Sequence, residues 1–157
     1  MPTDYANILR FDVLTGLRPT EALMSVGLVR KGGDYYNRER RMLEHFKYPD
    51  LFLRRTKKCY ISLVDAATLD IAKAAGEYSY MGLQSMLVRH GVPSHTKFCR
   101  KLFATHLRMK GIEPELIDLL QGRVPRSVFG RHYFRPDFDA ERPRIEKAIA
   151  SLAKEIL

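Results

Sequence analysis

Glycine and proline residues divide most of this chain into short segments, and this punctuation constrains its fold more than any other feature. At Gly111 and Pro114, for example, a glycine ends one periodic segment and a proline opens the next. Glycine is favoured just past a helix end, and proline is tolerated in a helix's first turn. We therefore expect a mainly α-helical chain. The predicted helices cover residues 5–14, 19–26, 65–75, 79–90, 94–110, 115–121, 125–134 and 142–157.

The region between residues 35 and 64 has a different pattern. Residues 35–46 are rich in arginine and glutamate, and we interpret them as a short charged helix. Residues 51–55 and 58–64 are two runs of β-prone residues around Thr56 and Lys57, which predicts a hairpin with lysines at its tip. The predicted fold class is therefore α+β, mainly helical with a small antiparallel β-hairpin or sheet.

Composition narrows the class of protein. The 157 residues suffice for one domain with its own core, and no apolar run approaches the ~18 residues of a membrane span. Asp4 and Arg10 interrupt any signal-peptide core at the N-terminus. With only Cys59 and Cys99, we expect reduced thiols in a cytoplasmic protein. The five histidines form no metal-binding motif, so we expect neither a metal nor a cofactor.

The net charge of +9 is concentrated in two blocks. Residues 30–58 hold ten Lys/Arg against four Asp/Glu, a net +6, and residues 89–135 hold ten against three, a net +7. The stretches outside them are each slightly acidic. Positive charge clustered in this way is typical of a surface that binds phosphate backbones. The charge pattern therefore predicts nucleic acid as the partner.

Arg18 is the first candidate for phosphate binding. It precedes Pro19 and is therefore biased out of the α region, which places it at the cap of the next helix. Glu21, three residues on, can reach back to its amide or guanidinium. A guanidinium beside the free N–H groups of a helix start is well placed to meet an anion. The simpler interpretation is an ordinary capped helix with an exposed arginine.

Further basic residues occur near one tyrosine. Lys97 and Arg100 are three residues apart and share a helix face, and Tyr133 follows among basic neighbours. Arginines, lysines and a tyrosine without an acidic metal cluster suit one chemistry, in which the tyrosine attacks a phosphodiester. Guanidinium groups then take the place of Mg²⁺ in stabilising the charge at phosphorus. The alternative for Tyr133 is a packed aromatic residue.

Four blocks of the sequence resemble a known family. They are TGLRPTEAL, KFCRKLFATHLRMKGI, PELIDLLQGR and SVFGRHYF, in that order. Together they resemble the catalytic domain of tyrosine recombinases, and most closely archaeal integrases of the fusellovirus and plasmid type. The resemblance spans roughly residues 5–135 and implies the tyrosine recombinase catalytic-domain fold.

The resemblance implies roles for particular residues. Tyr133 matches the nucleophile, which forms a 3′-phosphotyrosyl link and expels a 5′-hydroxyl. Arg18 and Arg100 match the arginines that hold the non-bridging oxygens. Lys57 matches the hairpin lysine that protonates the leaving oxygen, with the adjacent Lys58 as the alternative. Strand exchange and religation then follow without ATP or a metal.

At two positions the chain departs from the usual residues of the family. Lys97 stands where most members have histidine, a replacement characteristic of the archaeal subgroup. Arg123, after Gln121 and Gly122, stands where many members have histidine or tryptophan. Both are predicted site residues. Because arginine hardly ever releases a proton, the two replacements leave open which group handles protons.

The family also implies the partners. They are double-stranded DNA attachment sites and further copies of the chain, as a tetramer on DNA, with no membrane. The first block begins at residue 15 and leaves no room for the family's N-terminal core-binding domain. We therefore expect residues 1–157 to be a single catalytic domain from a longer integrase. The alternatives are a type IB topoisomerase, a non-catalytic DNA-binding module and a helical protein with an acidic partner.

An apolar stripe at the C-terminus predicts a packed helix. Ile145, Ile149, Leu152 and Ile156 recur at helical spacing. This helix could pack on the core of its own domain, the interpretation that we favour, or dock on a neighbouring protomer. Truncation after Phe138 would separate the two.

Overall fold

The structure is a computed structural model that describes residues 1–92, 96–124 and 136–157. It is mainly helical with a small antiparallel sheet, which confirms the α+β class. The helices are α1 (Thr3–Thr15), α2 (Pro19–Lys31), α3 (Pro49–Phe52), α4 (Ala66–Ala74), α5 (Tyr80–Arg89), α6 (Lys97–Met109), α7 (Pro114–Leu120) and α8 (Phe138–Ile156). The strands are β1 (Tyr36–Asn37), β2 (Met42–Glu44), β3 (Leu53–Arg54), β4 (Lys57–Lys58) and β5 (Ile61–Leu63), and a 3₁₀ turn spans His45–Lys47.

Helix starts and stops follow the local signals in the sequence. Gly16 ends α1 with a φ of 63°, a left-handed conformation that glycine adopts without a steric penalty. Asp65 caps α4 by accepting a hydrogen bond from the Thr68 amide, and Ser79 caps α5 by accepting one from Gly82. These predicted boundaries are confirmed. The predicted helix over 125–134 and the start of the helix at 94 lie outside the described residues.

The helix predicted over residues 35–46 is wrong, because this stretch forms a β-hairpin. Strands β1 and β2 pair antiparallel, with Tyr36 opposite Leu43, and β2 pairs with β5 in a sheet of order β1-β2-β5. Arg41 lies between β1 and β2 with a φ of 47°. The pairing buries Tyr35 and Met42 in the core. Tertiary burial therefore overrides the helical preference of the charged residues.

The hairpin predicted over residues 51–64 is present only in its central part. Strands β3 and β4 pair with Arg54 opposite Lys57, so Lys57 is the first residue after the turn. Residues 61–63 instead pair with β2, and Phe52 ends the short helix α3. Phe52 is fully buried. Its burial explains why the first predicted strand gives way to a helical turn, since that turn places the ring in the core.

The helix α1 lies between the two halves of the core. One cluster packs around Phe11 with α2 and α4, and the other around Leu14 with α6, α7 and α8. Burial of each large apolar side chain contributes about 1.5–3 kcal/mol. This arrangement places the start of α2 beside α6, although the two helices are far apart in the sequence.

The C-terminal helix packs on its own chain, as we favoured. Ile145, Ala148 and Leu152 are buried against α6 and α1. The helix begins at Phe138, earlier than the predicted residue 142, because Asp137 caps it, and Pro143 lies inside it. Across the described residues, no helix is long and apolar enough to cross a bilayer.

Candidate phosphate-binding site

A cavity of about 530 Å³ opens between the start of α2, the outer side of α6 and the end of α7. Four of the six predicted site residues line it. The lining consists of Arg18, Pro19, Lys97, Arg100, Lys101, Ala104, Thr105 and Arg123. Folding therefore brings cations from three separate segments to one opening.

Arg18 is held at the N-terminus of α2 by Glu21. Its Nη1 donates to Glu21 Oε1 at 2.9 Å, and its backbone amide donates to Glu21 Oε2 at 3.2 Å. Glu21 is fully buried, whereas the Arg18 side chain is 19% exposed. This confirms the predicted contact between the two residues. The buried carboxylate therefore helps to fix the guanidinium where it lines the cavity.

Arg100 is buried and bound at both ends of its guanidinium. Nη1 donates to the Gly16 carbonyl at 2.9 Å, and Nη2 donates to the Gln121 carbonyl at 3.0 Å. Burial, together with the charges of Arg18 and Arg123, lowers the pKa of Arg100 to about 10. The group is therefore still a cation at neutral pH. Its cost of desolvation and its like-charged neighbours both favour a bound anion.

The turn after α7 connects the parts of the site. Arg18 Nη2 donates to the Gly122 carbonyl at 3.2 Å, one residue from the carbonyl that Arg100 uses. Gly122 has a φ of 61°, and a Cβ there would lie 2.6 Å from the backbone nitrogen of Cys59. Only glycine allows this close approach without displacement of the chain.

The lysine hairpin is attached to the same turn. Lys58 donates its amide to the Gly122 carbonyl at 3.1 Å, and the backbones of Lys57 and Arg123 form an antiparallel bridge. Both lysines are exposed, and neither is among the residues that line the cavity. Backbone contacts with Gly122 and Arg123 thus hold the hairpin next to the cavity.

The outer lining is formed by more exposed cations. Lys97 is exposed at the start of α6, and Arg123 pairs with Asp118 at 3.4 Å. Lys101 also lines the cavity and was not predicted. Its spacing of four residues from Lys97 was the available signal, because residues i and i+4 share a helix face. Cys99, by contrast, is buried in the core.

The cavity carries an excess of positive charge. Five cations line it, and carboxylates pair with two of them, Arg18 with Glu21 and Arg123 with Asp118. Asp12 is buried, and among the described residues neither of its carboxyl oxygens has a hydrogen-bond partner. Burial raises its pKa well above the usual range, an effect that the Cys99 thiol and Arg100 only partly offset. Burial thus favours the uncharged form of Asp12, which would not compensate the charge of Arg100.

Tyr133 lies outside the described residues, so the structure gives no position for the predicted nucleophile. Within the described ranges, no group of three or more His, Cys, Asp or Glu side chains could hold a metal ion. No family model, no curated protein and no solved structure matches the chain. The observations that bear on function are therefore the motifs and this cationic cavity.

Proposed function

We propose that this chain is the catalytic domain of a site-specific DNA recombinase of the tyrosine recombinase type, with the catalytic-domain fold of that family. The observation that carries the proposal is the convergence of Arg18, Lys97, Arg100 and Arg123 on one cavity. These are the positions that the motifs single out, and we would not expect an unrelated helical protein to bring them together.

The cavity suits a phosphodiester. A guanidinium has five N–H donors, and Arg18 and Arg100 each use two of them in bonds to the described part of the chain. The others are available for non-bridging oxygens, where negative charge grows in the transition state. Loss of one such preorganised donor typically costs about 3–4 kcal/mol. The backbone carbonyls behind the guanidiniums hold these donors in place before DNA arrives.

The chemistry would proceed in two transesterifications. Tyr133 attacks as the phenolate, its oxygen forms a bond to phosphorus, and the bond from phosphorus to the 5′-oxygen breaks. Lys57 gives a proton to that leaving oxygen, which lysine does far more readily than arginine. A 5′-hydroxyl from another strand later returns a proton to Lys57, attacks the phosphotyrosyl link and releases Tyr133 as the phenolate. An unperturbed tyrosine has a pKa near 10, so the excess of positive charge would favour its phenolate form.

Lys97 and Arg123 take supporting roles in this proposal. Both line the cavity and are exposed, so they add positive charge at its opening without being buried. Arg123 shares its charge with Asp118. We assign the two residues to holding the phosphate and its neighbours in the DNA backbone, and proton transfer to the hairpin lysine.

The partner in this proposal is double-stranded DNA, bound in the cytoplasm of the host cell by a homo-tetramer. The basic blocks at residues 30–58 and 89–135 contribute the hairpin lysines and most of the cavity lining. Binding by such a surface weakens steeply as salt rises, because each neutralised phosphate releases counterions. A longer integrase would add a core-binding domain on the other side of the duplex.

A nicked suicide duplex tests the proposal. Its short fragment diffuses away after cleavage, so a tyrosine enzyme becomes trapped as a covalent adduct. We expect an adduct with the wild type and none with Tyr133→Phe, which should bind DNA equally well. An adduct at wild-type level in Tyr133→Phe contradicts the assignment of the nucleophile.

The same substrate separates the alternatives. Binding without an adduct, under any condition, indicates a non-catalytic DNA-binding module. No binding at low salt indicates a protein partner. If an adduct forms but strands are never exchanged between two duplexes, while supercoils are relaxed, the chain is a type IB topoisomerase.

A further inference from the structure

We infer that Gln121 is a positioning residue that holds Arg100, and through its turn also Arg18, in the geometry that binds the phosphate. The inference rests on the proposed function for its catalytic consequence, but its structural part concerns phosphate binding alone. Gln121 does not line the cavity and would touch neither DNA nor the reacting atoms. It acts through the two arginines.

Arg100 and Gln121 are joined by two hydrogen bonds in opposite directions. The Gln121 side chain donates from Nε2 to the Arg100 carbonyl at 2.8 Å, and the Arg100 guanidinium donates from Nη2 to the Gln121 carbonyl at 3.0 Å. Gln121 is fully buried. The side-chain amide of Gln121 therefore links the turn after α7 to the backbone of α6 at Arg100. Arg100 is also the residue whose side chain this turn orients.

The link between Gln121 and α6 affects more than one cation. The turn that Gln121 secures also offers the Gly122 carbonyl, which accepts from Arg18 Nη2 and from the Lys58 amide. A shift of the turn would move the acceptors of both guanidiniums and the base of the lysine hairpin together. Misplacement by about 1 Å can cost an enzyme on the order of a hundredfold in rate.

The other half of the Gln121 amide argues against a purely structural role. Its Oε1 is buried and makes no hydrogen bond to the described residues. A buried acceptor without a partner costs about 1–3 kcal/mol, which an apolar side chain of the same length would avoid. Among the contacts of the described residues, stability alone would therefore favour an apolar residue here. The hydrogen bond from Nε2 to the Arg100 carbonyl is the feature that explains why glutamine occupies this position.

The substitution Gln121→Met tests this, because methionine keeps the length and volume but removes the donor. The matched control is Ser62→Ala, which removes a buried hydrogen bond to His45, 2.8 Å long, between β5 and the 3₁₀ turn. For Gln121→Met we expect a thermal midpoint close to the wild type and cleavage of pre-bound suicide DNA slower by about tenfold or more. Duplex affinity should change little, since many other phosphates contribute. Ser62→Ala should lose stability and keep its cleavage rate.

A second measurement does not depend on cleavage. Titration with inorganic phosphate, followed by ¹⁵N NMR of the arginine side chains, reports on the cavity directly, and Arg100→Ala marks the loss of the site. We expect Gln121→Met to bind phosphate several-fold more weakly and Ser62→Ala to match the wild type.

The outcomes are distinct. If Gln121→Met equals the wild type in phosphate affinity, or if Ser62→Ala is weakened to the same extent, Gln121 has no positioning role. If the wild type binds phosphate but forms no adduct with any DNA, the proposed function fails, and the phosphate affinities still decide the role of Gln121. A 5′-bridging phosphorothiolate adds a check: because the arginines act on the non-bridging oxygens, it should rescue Gln121→Met at most in part. Full rescue would place the effect on the leaving group and contradict the inference.

Discussion

Arg18 and Arg100 are anchored on successive carbonyls of one turn, Arg18 on Gly122 at 3.2 Å and Arg100 on Gln121 at 3.0 Å. Two guanidiniums of like charge are thereby held side by side, an arrangement that their mutual repulsion opposes. The backbone dipoles of the turn offset part of this repulsion, and a bound phosphate would offset more. The pairing is the structural basis for treating the cavity as an anion site.

Removal of either arginine should slow cleavage more than it weakens DNA binding. We expect Arg18→Ala and Arg100→Ala to cleave pre-bound suicide DNA about 10²–10³-fold more slowly, because each removes preorganised donors from the transition state. Arg30→Ala, at the opposite end of α2, is the matched control and should cleave normally. Single-turnover rates and duplex affinities measure the two effects. Normal cleavage rates in both variants would show that these arginines only contact the DNA backbone.

Lys57→Ala should be slow on ordinary DNA and close to normal on a 5′-bridging phosphorothiolate. A thiolate leaves without a proton, so a general acid becomes dispensable. Lys58→Ala is the natural control, since it lies on the same strand and is equally exposed. Rates on the two substrates decide the assignment. Rescue of Lys58→Ala in place of Lys57→Ala would make Lys58 the acid.

Gly122→Ala should displace the lysine hairpin. Gly122 and Gly111 both have positive φ, 61° and 83°, so alanine at either costs roughly 1–2 kcal/mol of backbone strain. Only at Gly122 would the new Cβ meet the backbone of Cys59, whereas Gly111 faces open space. We therefore expect Gly122→Ala to lose about 1–3 kcal/mol more than Gly111→Ala in denaturant unfolding. Equal losses would show that the chain relaxes around Cys59 at no cost.

The buried histidine of the 3₁₀ turn, His45, should make the fold sensitive to acid. The two ring nitrogens of His45 form hydrogen bonds with Tyr35 Oη at 2.6 Å and with Ser62 Oγ at 2.8 Å. Burial lowers the pKa of His45 from 6.5 to about 3. The unfolded chain thus binds a proton that the folded chain does not, so stability falls as pH decreases below about 6.5. The slope approaches 1.4 kcal/mol per pH unit.

Two variants isolate that slope in unfolding measurements between pH 7 and pH 4. His45→Gln should be less stable at neutral pH and lose this contribution to the slope. Ser62→Ala keeps the histidine and should be destabilised at every pH with the slope unchanged. A slope that persists in His45→Gln would assign the acid sensitivity to other groups.

The sequence by itself determined several helix ends and singled out four of the side chains that line the cavity. Gly16, Asp65 and Ser79 act on the backbone within a few residues of themselves, so their effects could be predicted without the rest of the chain. The contact between Arg18 and Glu21 was predictable for the same reason. The spacing of Lys97 and Arg100 on one helix likewise placed them on one face.

Only the tertiary structure decided the strands at residues 36–44 and the assembly of the cavity. A strand of two or three residues is stable only when another strand pairs with it, and Leu43 owes its conformation to partners at Tyr36 and Ser62. The roles of Gln121 and Gly122 likewise depend on arginines far away in the sequence. Local sequence signals carry no information about such contacts, because the free energy that forms them comes from burial and pairing between distant segments.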